Sequence, residues 1–224
     1  KRFENKKYVF ISARVHPGET AASYTFKGVM DFVLNKQDIR AKAFRENFVL
    51  VLLPMLNPDG VSRGHYRMDT HGLNLNRFYI NPTLEQHPTI YAAKQVIMEL
   101  QNRNLLYLYC DLHAHANQKG CFFYGNSMEF VDQVEGRLFA KLLSLNSEYF
   151  EYDKCDFSET NTSVDKGDGK DKQGAGRVAL YQATKLPRCY TLECNYAAGK
   201  SRNILATTEK LEERSTFWKV DINL

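Results

Sequence analysis

The chain has 224 residues, 43% hydrophobic and 25% charged, enough to bury a core within one compact α/β domain. The net charge of +4 is mild and the basic residues are scattered rather than gathered into a stripe, which argues against a nucleic-acid partner. No apolar run approaches the ~20 residues of a membrane span, and the opening KRFENKKYVF lacks the apolar centre of a signal peptide. The five cysteines are an odd number without a C-x-x-C pair, and they read as a buried, reduced set suited to a cytosolic compartment.

Strand-like and helix-like segments alternate, as in an α/β fold with a largely buried sheet. Tyr8 to Ile11 is a short run of β-formers that ends at His16-Pro17-Gly18-Glu19. Ala22, Phe26, Met30 and Val33 then fall on one helical face. Phe48 to Leu53 reads as a second strand, stopped by Pro54, and Asn57 to Arg77 is dominated by turn residues. Ile90, Ala93, Ile97 and Leu100 mark another helix face, and Leu105 to Asp111 is a strand that delivers His113 at its end. Val131, Val134, Leu138, Leu142 and Leu145 line a further helix. Asp165 to Gly176 is charged and glycine-rich, a mobile loop by composition, and Cys189 to Asn195 is the last strand. The functional candidates gather past strand ends, where open α/β sheets bind ligands. Polar residues also collect wherever strands stop, so position alone does not decide.

His16 and Glu19 place an imidazole and a carboxylate three residues apart at a strand-to-helix junction. Pro17 fixes the backbone there and Gly18 permits a tight approach. Nitrogen plus carboxylate oxygen suits Zn²⁺, and a catalytic site needs three protein ligands and an open position. His113, within Asp111-Leu112-His113-Ala114-His115, is the natural third ligand. The plain alternatives are a chance H-x-x-E and a strand-end histidine satisfied by a carbonyl. Asp111 is read as a turn cap, the alternative being a partner that orients a ligand imidazole; His115 is not assigned to the metal. Two other motifs fail. Gly199-Lys200-Ser201 lacks the earlier glycine of a phosphate-binding loop, and Asp165 to Gly169 has no closing glutamate for a calcium loop.

Taken together, His16-Pro17-Gly18-Glu19, Asn57-Pro58-Asp59-Gly60, Asn74-Leu75-Asn76-Arg77, Asp111-Leu112-His113 and Thr191-Leu192-Glu193 resemble the zinc carboxypeptidase superfamily, over nearly the whole chain. In detail they resemble its cytosolic carboxypeptidase branch. Gly64-His65-Tyr66-Arg67, Cys121 to Asn126 and Cys189 to Tyr196 are most similar to the branch member that removes branch-point glutamate from tubulin. The resemblance implies an α/β fold with a mixed, mostly parallel central sheet flanked by helices. It implies one zinc per chain, held by His16, Glu19 and His113, with Glu193 as general base. Arg67 would steady the polarised carbonyl, and Asn76 with Arg77 would clamp the terminal carboxylate. The plain reading of each arginine is a surface salt bridge. Ala114 stands where the family motif has glycine. Cytosolic members also carry an N-terminal β-sandwich domain, so residues 1–224 are expected to be a catalytic domain trimmed at both ends.

An acidic residue at the cleaved position calls for a second cation. Arg177, in a glycine-rich loop leading into a helix, is the candidate, with Lys185 and Arg188 as fallbacks. Tyr181 suits a lid or a helix packing face equally. The expected function is removal of C-terminal or branch-point glutamate from polyglutamylated tails such as those of tubulin. The expected protein is a monomer in the cytoplasm, on microtubules or in the nucleus, without nucleic-acid or membrane partners. A zinc amidohydrolase of small N-acyl amino acids and an inactive binder of acidic tails are the competing readings.

Overall fold

The computed structural model describes residues 3, 5–163 and 172–197. Strands β1 (Lys7–Ala13), β2 (Phe48–Leu53), β3 (Leu106–His115), β4 (Cys121–Tyr124) and β5 (Cys189–Asn195) form one sheet in the order β2-β1-β3-β5-β4. All neighbours are parallel except β4, which runs antiparallel to β5. This is the mixed, mostly parallel sheet expected. The chain leaves β1 for β2 on one side and later enters β3 on the other. The crevice beyond the carboxyl ends of β1 and β3 is therefore the topological switch point, where such sheets bind ligands.

Helices α1 (Thr20–Leu34), α2 (Ile39–Asn47), α3 (Pro58–Ser62), α4 (Pro88–Asn102), α5 (Phe130–Asn146), α6 (Thr160–Ser163) and α7 (Gly176–Thr184) connect the strands. Alternate strand residues split the core in two, because successive side chains leave a strand on opposite faces. Phe10 and Tyr109 join Ile90, Ile97 and Leu180 on one face, while Val9, Ile11, Leu108 and Tyr190 join Phe26 and Phe123 on the other.

The four apolar residues predicted for α4 are its buried residues. On α5 the helix forms as predicted, but the five residues expected to line its packing face are 48–76% exposed. Its buried residues are Gly136, Ala140 and Ser144. Small side chains let the backbone come close to the sheet, so that the Tyr190 hydroxyl donates to the Gly136 carbonyl at 2.9 Å. α2 went unread because it buries only Ala41 and so carries no apolar period. Asp38 starts it by accepting from the amides of Arg40 and Ala41.

Candidate active site

β1 stops at Ala13, and Arg14 takes a left-handed φ of 57° that turns the chain toward the sheet edge. The Arg14 guanidinium is buried and donates twice to the Pro17 carbonyl, at 3.0 and 2.6 Å, and once to the Ser23 hydroxyl at 2.7 Å. It thereby ties the His16–Glu19 turn to the first turn of α1, a role the sequence reading missed. Gly18 lies so close to Tyr66 that a Cβ would sit 2.7 Å from its carbonyl oxygen. That close approach sets the Tyr66-Arg67 segment against the turn.

His16, Glu19 and His113 converge, each offering one donor atom with all three atoms within 4.8 Å of one another. His16 Nδ1 lies 2.6 Å from one Glu19 oxygen and His113 Nδ1 lies 3.0 Å from the other. The opposite ring nitrogens are held from behind. His113 Nε2 donates to Asp111 at 2.8 Å, and His16 Nε2 to the Asn74 side-chain oxygen at 3.1 Å. That oxygen also accepts from the Asn76 amide, which fixes which end of the Asn74 amide faces His16. Asp111 in turn accepts from the Ser12 hydroxyl at 2.8 Å. Both Nδ1 atoms are thus turned toward the Glu19 carboxylate, the arrangement that orients histidine ligands around a metal. Asp111 is therefore an orienting partner and not a turn cap. It lies inside β3, which runs on through His113 to His115 rather than ending at Asp111. His115 is excluded from the centre, because its Nδ1 accepts from the Asn117 and Gln118 amides. Ala114 keeps the motif intact: its amide donates to Glu19 at 3.0 Å.

The charges follow from this packing. Burial opposes ionisation of Glu19, yet the two imidazoles outweigh it and hold the carboxyl well below its usual range. Burial likewise disfavours a charged His113, but Asp111 and Glu19 prevail and raise its pKa well above normal. In His16 burial wins over Glu19, and the pKa falls. Two imidazole nitrogens and an acidic carboxylate, all nearly shut off from solvent, form a donor set that fits Zn²⁺.

Glu193 is the β5 residue in register with His113, so one strand spacing separates them on a parallel pair. Its Oε2 is buried with no hydrogen-bond partner. Burial raises its pKa to about 7; His113 and Arg67 resist that rise, while Glu19 and Asp111 add to it. A carboxyl that is half ionised at neutral pH, with a free oxygen beside a three-donor centre, suits a general base.

The remaining assigned residues share one cavity of about 310 Å³ with this centre. Arg67 reaches Glu19 at 3.8 Å and His16 Nδ1 at 3.5 Å. Asn74 caps a 3₁₀ turn at Leu75–Arg77 that carries Asn76 and Arg77 to the wall. The Asn76 side-chain oxygen accepts from the Gly176 amide at 2.9 Å, and Arg77 donates to the Asn76 carbonyl at 2.9 Å. Lys172, Tyr66, Tyr124 and Tyr196 also line the cavity; the three tyrosines lie in the motif strings that carry the resemblance, but none of the four was given a role from sequence.

Arg177 lines the cavity too, but as a buried residue in the first turn of α7 rather than on a mobile loop. Residues 164–171 of that predicted loop lie outside the described residues. The Arg177 guanidinium donates to the carbonyls of Gly125 and Asn161 and to the Asn126 side chain. Among the described residues no carboxylate lies within ion-pair distance of it, and burial lowers its pKa to about 10. Neither fallback reaches the cavity. Lys185 ends α7 with its ammonium over Tyr181, and Arg188 pairs with Glu135 and stacks on Tyr107. Tyr181 packs against the core and is not among the cavity residues.

A family model described as zinc carboxypeptidase matches residues 1–198. Human cytosolic carboxypeptidase-like protein 5 is 37% identical over 90% of this chain and 33% of its own length. Chicken cytosolic carboxypeptidase 1 is 34% identical over 95% of this chain and 18% of its own. The chain spans about a third of the length of the first of these curated relatives. Among solved structures, a metallo-carboxypeptidase from Burkholderia cenocepacia superposes with a TM-score of 0.69 at 21% identity, covering 85% of this chain and 48% of that one.

Proposed function

The chain belongs to the zinc carboxypeptidase family, and we propose that it is a zinc-dependent carboxypeptidase that removes C-terminal or branch-point glutamate from polyglutamylated protein tails such as those of tubulin. The observation that carries the reading is Glu193: a buried carboxyl raised to about 7, with an unpartnered oxygen, in register with His113 and in one cavity with Arg67, Arg77 and Arg177.

His16, Glu19 and His113 would hold the zinc, which when bound supplies Lewis acidity to a substrate carbonyl and eases deprotonation of water. Glu193 takes a proton from the attacking water and returns it to the leaving amine. Arg67, within reach of the centre, meets the negative charge that develops on the carbonyl oxygen. Chain-end recognition falls to the Arg77 fork and the Asn76 amide group, whose oxygen is already engaged and whose nitrogen donates. Arg177 supplies positive charge where the side chain of the cleaved residue sits. Its lack of a carboxylate partner among the described residues supports an acidic occupant. The protein would work as a cytoplasmic monomer, associated with microtubules or also nuclear. No helix of the described residues is long and apolar enough to cross a membrane.

The test is to measure zinc content and then follow glutamate release from linear and branched glutamyl peptides. Release from either peptide by zinc-loaded protein, lost with a chelator, is the expected result. Cleavage confined to small N-acyl amino acids would move the assignment to an amidohydrolase. Tight binding of acidic tails without turnover would make it a binder.

A further inference from the structure

On the face of β5 opposite Glu193, Cys194 meets Cys121 of β4. The two are register partners in the antiparallel pair, with Sγ atoms 3.4 Å apart. The backbone of Cys121 turns away from β5: its amide donates to the Tyr149 carbonyl, and its carbonyl accepts from Glu151. The neighbouring pair carries the ladder bond, from the Asn195 amide to the Gly120 carbonyl at 3.0 Å. Cys121 and Cys194 therefore occupy a non-hydrogen-bonded site, where facing Cα atoms are about 4.5 Å apart. That separation falls inside the range a disulfide spans, and closing the bond needs the sulfurs to approach by roughly 1.4 Å through side-chain rotation. Among the described residues no other pair of sulfurs is in such contact. Cys194 is buried and also touches the Thr25 hydroxyl at 3.2 Å, while Cys121 is half-buried and is the thiol that a small oxidant reaches.

We propose that Cys121 and Cys194 are an oxidisable dithiol, a modification site for hydroperoxides, whose disulfide pins β4 to β5 directly behind the base. The Cys121 thiolate attacks the peroxide, forming an S–O bond as the O–O bond breaks, and an alcohol (or water) leaves with the thiol's proton. Cys194 then attacks the sulfenic sulfur, the S–S bond forms, and hydroxide departs with the proton of Cys194 as water. Two thiols lose two electrons and the hydroperoxide gains them; a small thiol reverses the change by exchange. The link bears on the site because the residues flanking Cys194 belong to it. Glu193 precedes it, and the Asn195 side chain that follows donates to the carbonyl of His115, which lines the cavity, and to that of Gln118.

The test is to treat the zinc-loaded protein with hydrogen peroxide, alkylate free thiols, digest without reduction and map linked peptides by mass spectrometry. The expected result is a Cys121–Cys194 link that dithiothreitol removes, present in Cys110→Ser and absent in Cys121→Ser. Turnover should fall as the link accumulates and return on reduction, and Cys121→Ser should resist that loss. Recovery of both cysteines alkylated, or oxidised separately, would overturn the site. A complete link with unchanged turnover would overturn its coupling to Glu193. The peptide map needs no enzymatic activity, so it decides the dithiol independently of the carboxypeptidase reading.

Discussion

The metal end of the cavity stands on parallel strands and the turn that leaves β1, whereas its recognition end hangs on a 3₁₀ turn and the first turn of α7. At the metal end Asp111, His113 and Glu193 come from adjacent strands in fixed register, and Ser12 braces Asp111 from β1. At the recognition end Asn76 is tied to Gly176, and Arg177 to Gly125 and Asn126 just after β4 and to Asn161 of α6. Strands fix position to a fraction of an ångström, which bond-making chemistry needs. Turns joined by single hydrogen bonds can be altered between relatives without disturbing that chemistry. Changes at the metal end should therefore act on all substrates alike, and changes at the other end should sort substrates.

The largest effect should come from His113→Ala, which removes one of three ligands and should abolish zinc retention at micromolar metal. Unchanged zinc by elemental analysis would remove His113 from the centre. Glu193→Gln should keep the metal and lower kcat by about a hundred- to ten-thousand-fold, since the amide cannot accept water's proton. Near-normal turnover in that folded, zinc-loaded variant would place the base elsewhere. The same group sets the acid limb of the profile: kcat/KM should fall as Glu193 protonates, and in the zinc-loaded enzyme that fall should lie below the value of about 7 that burial gives the metal-free carboxyl, because the cation favours its charged form. Asp111→Asn should weaken zinc binding by roughly ten- to a hundred-fold through a looser His113, with little change for Ser12→Ala.

The sharpest separation of the two ends uses Arg77 and Arg177. Arg77→Leu should damage every substrate, because the terminal carboxylate is common to all. Arg177→Leu should cost glutamate cleavage about ten- to a hundred-fold in kcat/KM, equivalent to one charge-assisted contact, while sparing an apolar C-terminal residue. Because leucine would also leave the Gly125 and Asn161 carbonyls unmet, Arg177→Lys and a melting curve should accompany it. Equal losses for both substrates in a stably folded variant would leave Arg177 a purely structural residue.

How far the sequence could be read followed the same division. Ligands and base were legible because each sits in a short motif at a strand end, where type and spacing limit the chemistry. The orienting role of Asp111 was not, because a cap and an orienting partner look alike until register places its carboxylate behind His113. Asn74 opens the Asn74-Leu75-Asn76-Arg77 motif, but its bond to His16 is a long-range contact with no local trace. Arg177 was found by residue type but misjudged in setting, since a glycine-rich stretch that reads as mobile becomes close-packed at Gly174 and Gly176. α4 and α5 show the limit of periodicity. Both have an apolar stripe; in α4 the stripe is the packing face, whereas α5 packs through Gly136, Ala140 and Ser144 together with Phe139 and Leu143, the Phe139 ring stacking on Phe123 and Tyr190 of the sheet.

The smallest expected effect concerns stability, and it has the opposite sign to the loss of activity. Glu193 titrates near 7 in the folded chain against an ordinary 4.5, so between those values the native state holds a proton that the unfolded chain has released. Stability therefore falls as pH rises through that window, and above it the buried charge is a standing cost of folding. Glu193→Gln removes the charge while keeping the shape. After discounting the amide's own unmet hydrogen bonds, the variant should be more stable by about 1–2 kcal/mol at pH 8 and little changed at pH 4. The gain should shrink when zinc is loaded, because a nearby cation favours the charged form of the wild-type carboxyl. Chemical denaturation at the two pH values, with and without added metal, measures all of this. An inactive variant no more stable than wild type at pH 8 would mean that Glu193 is better solvated than its burial implies. The base would then owe its reactivity to its position beside His113 rather than to a raised pKa.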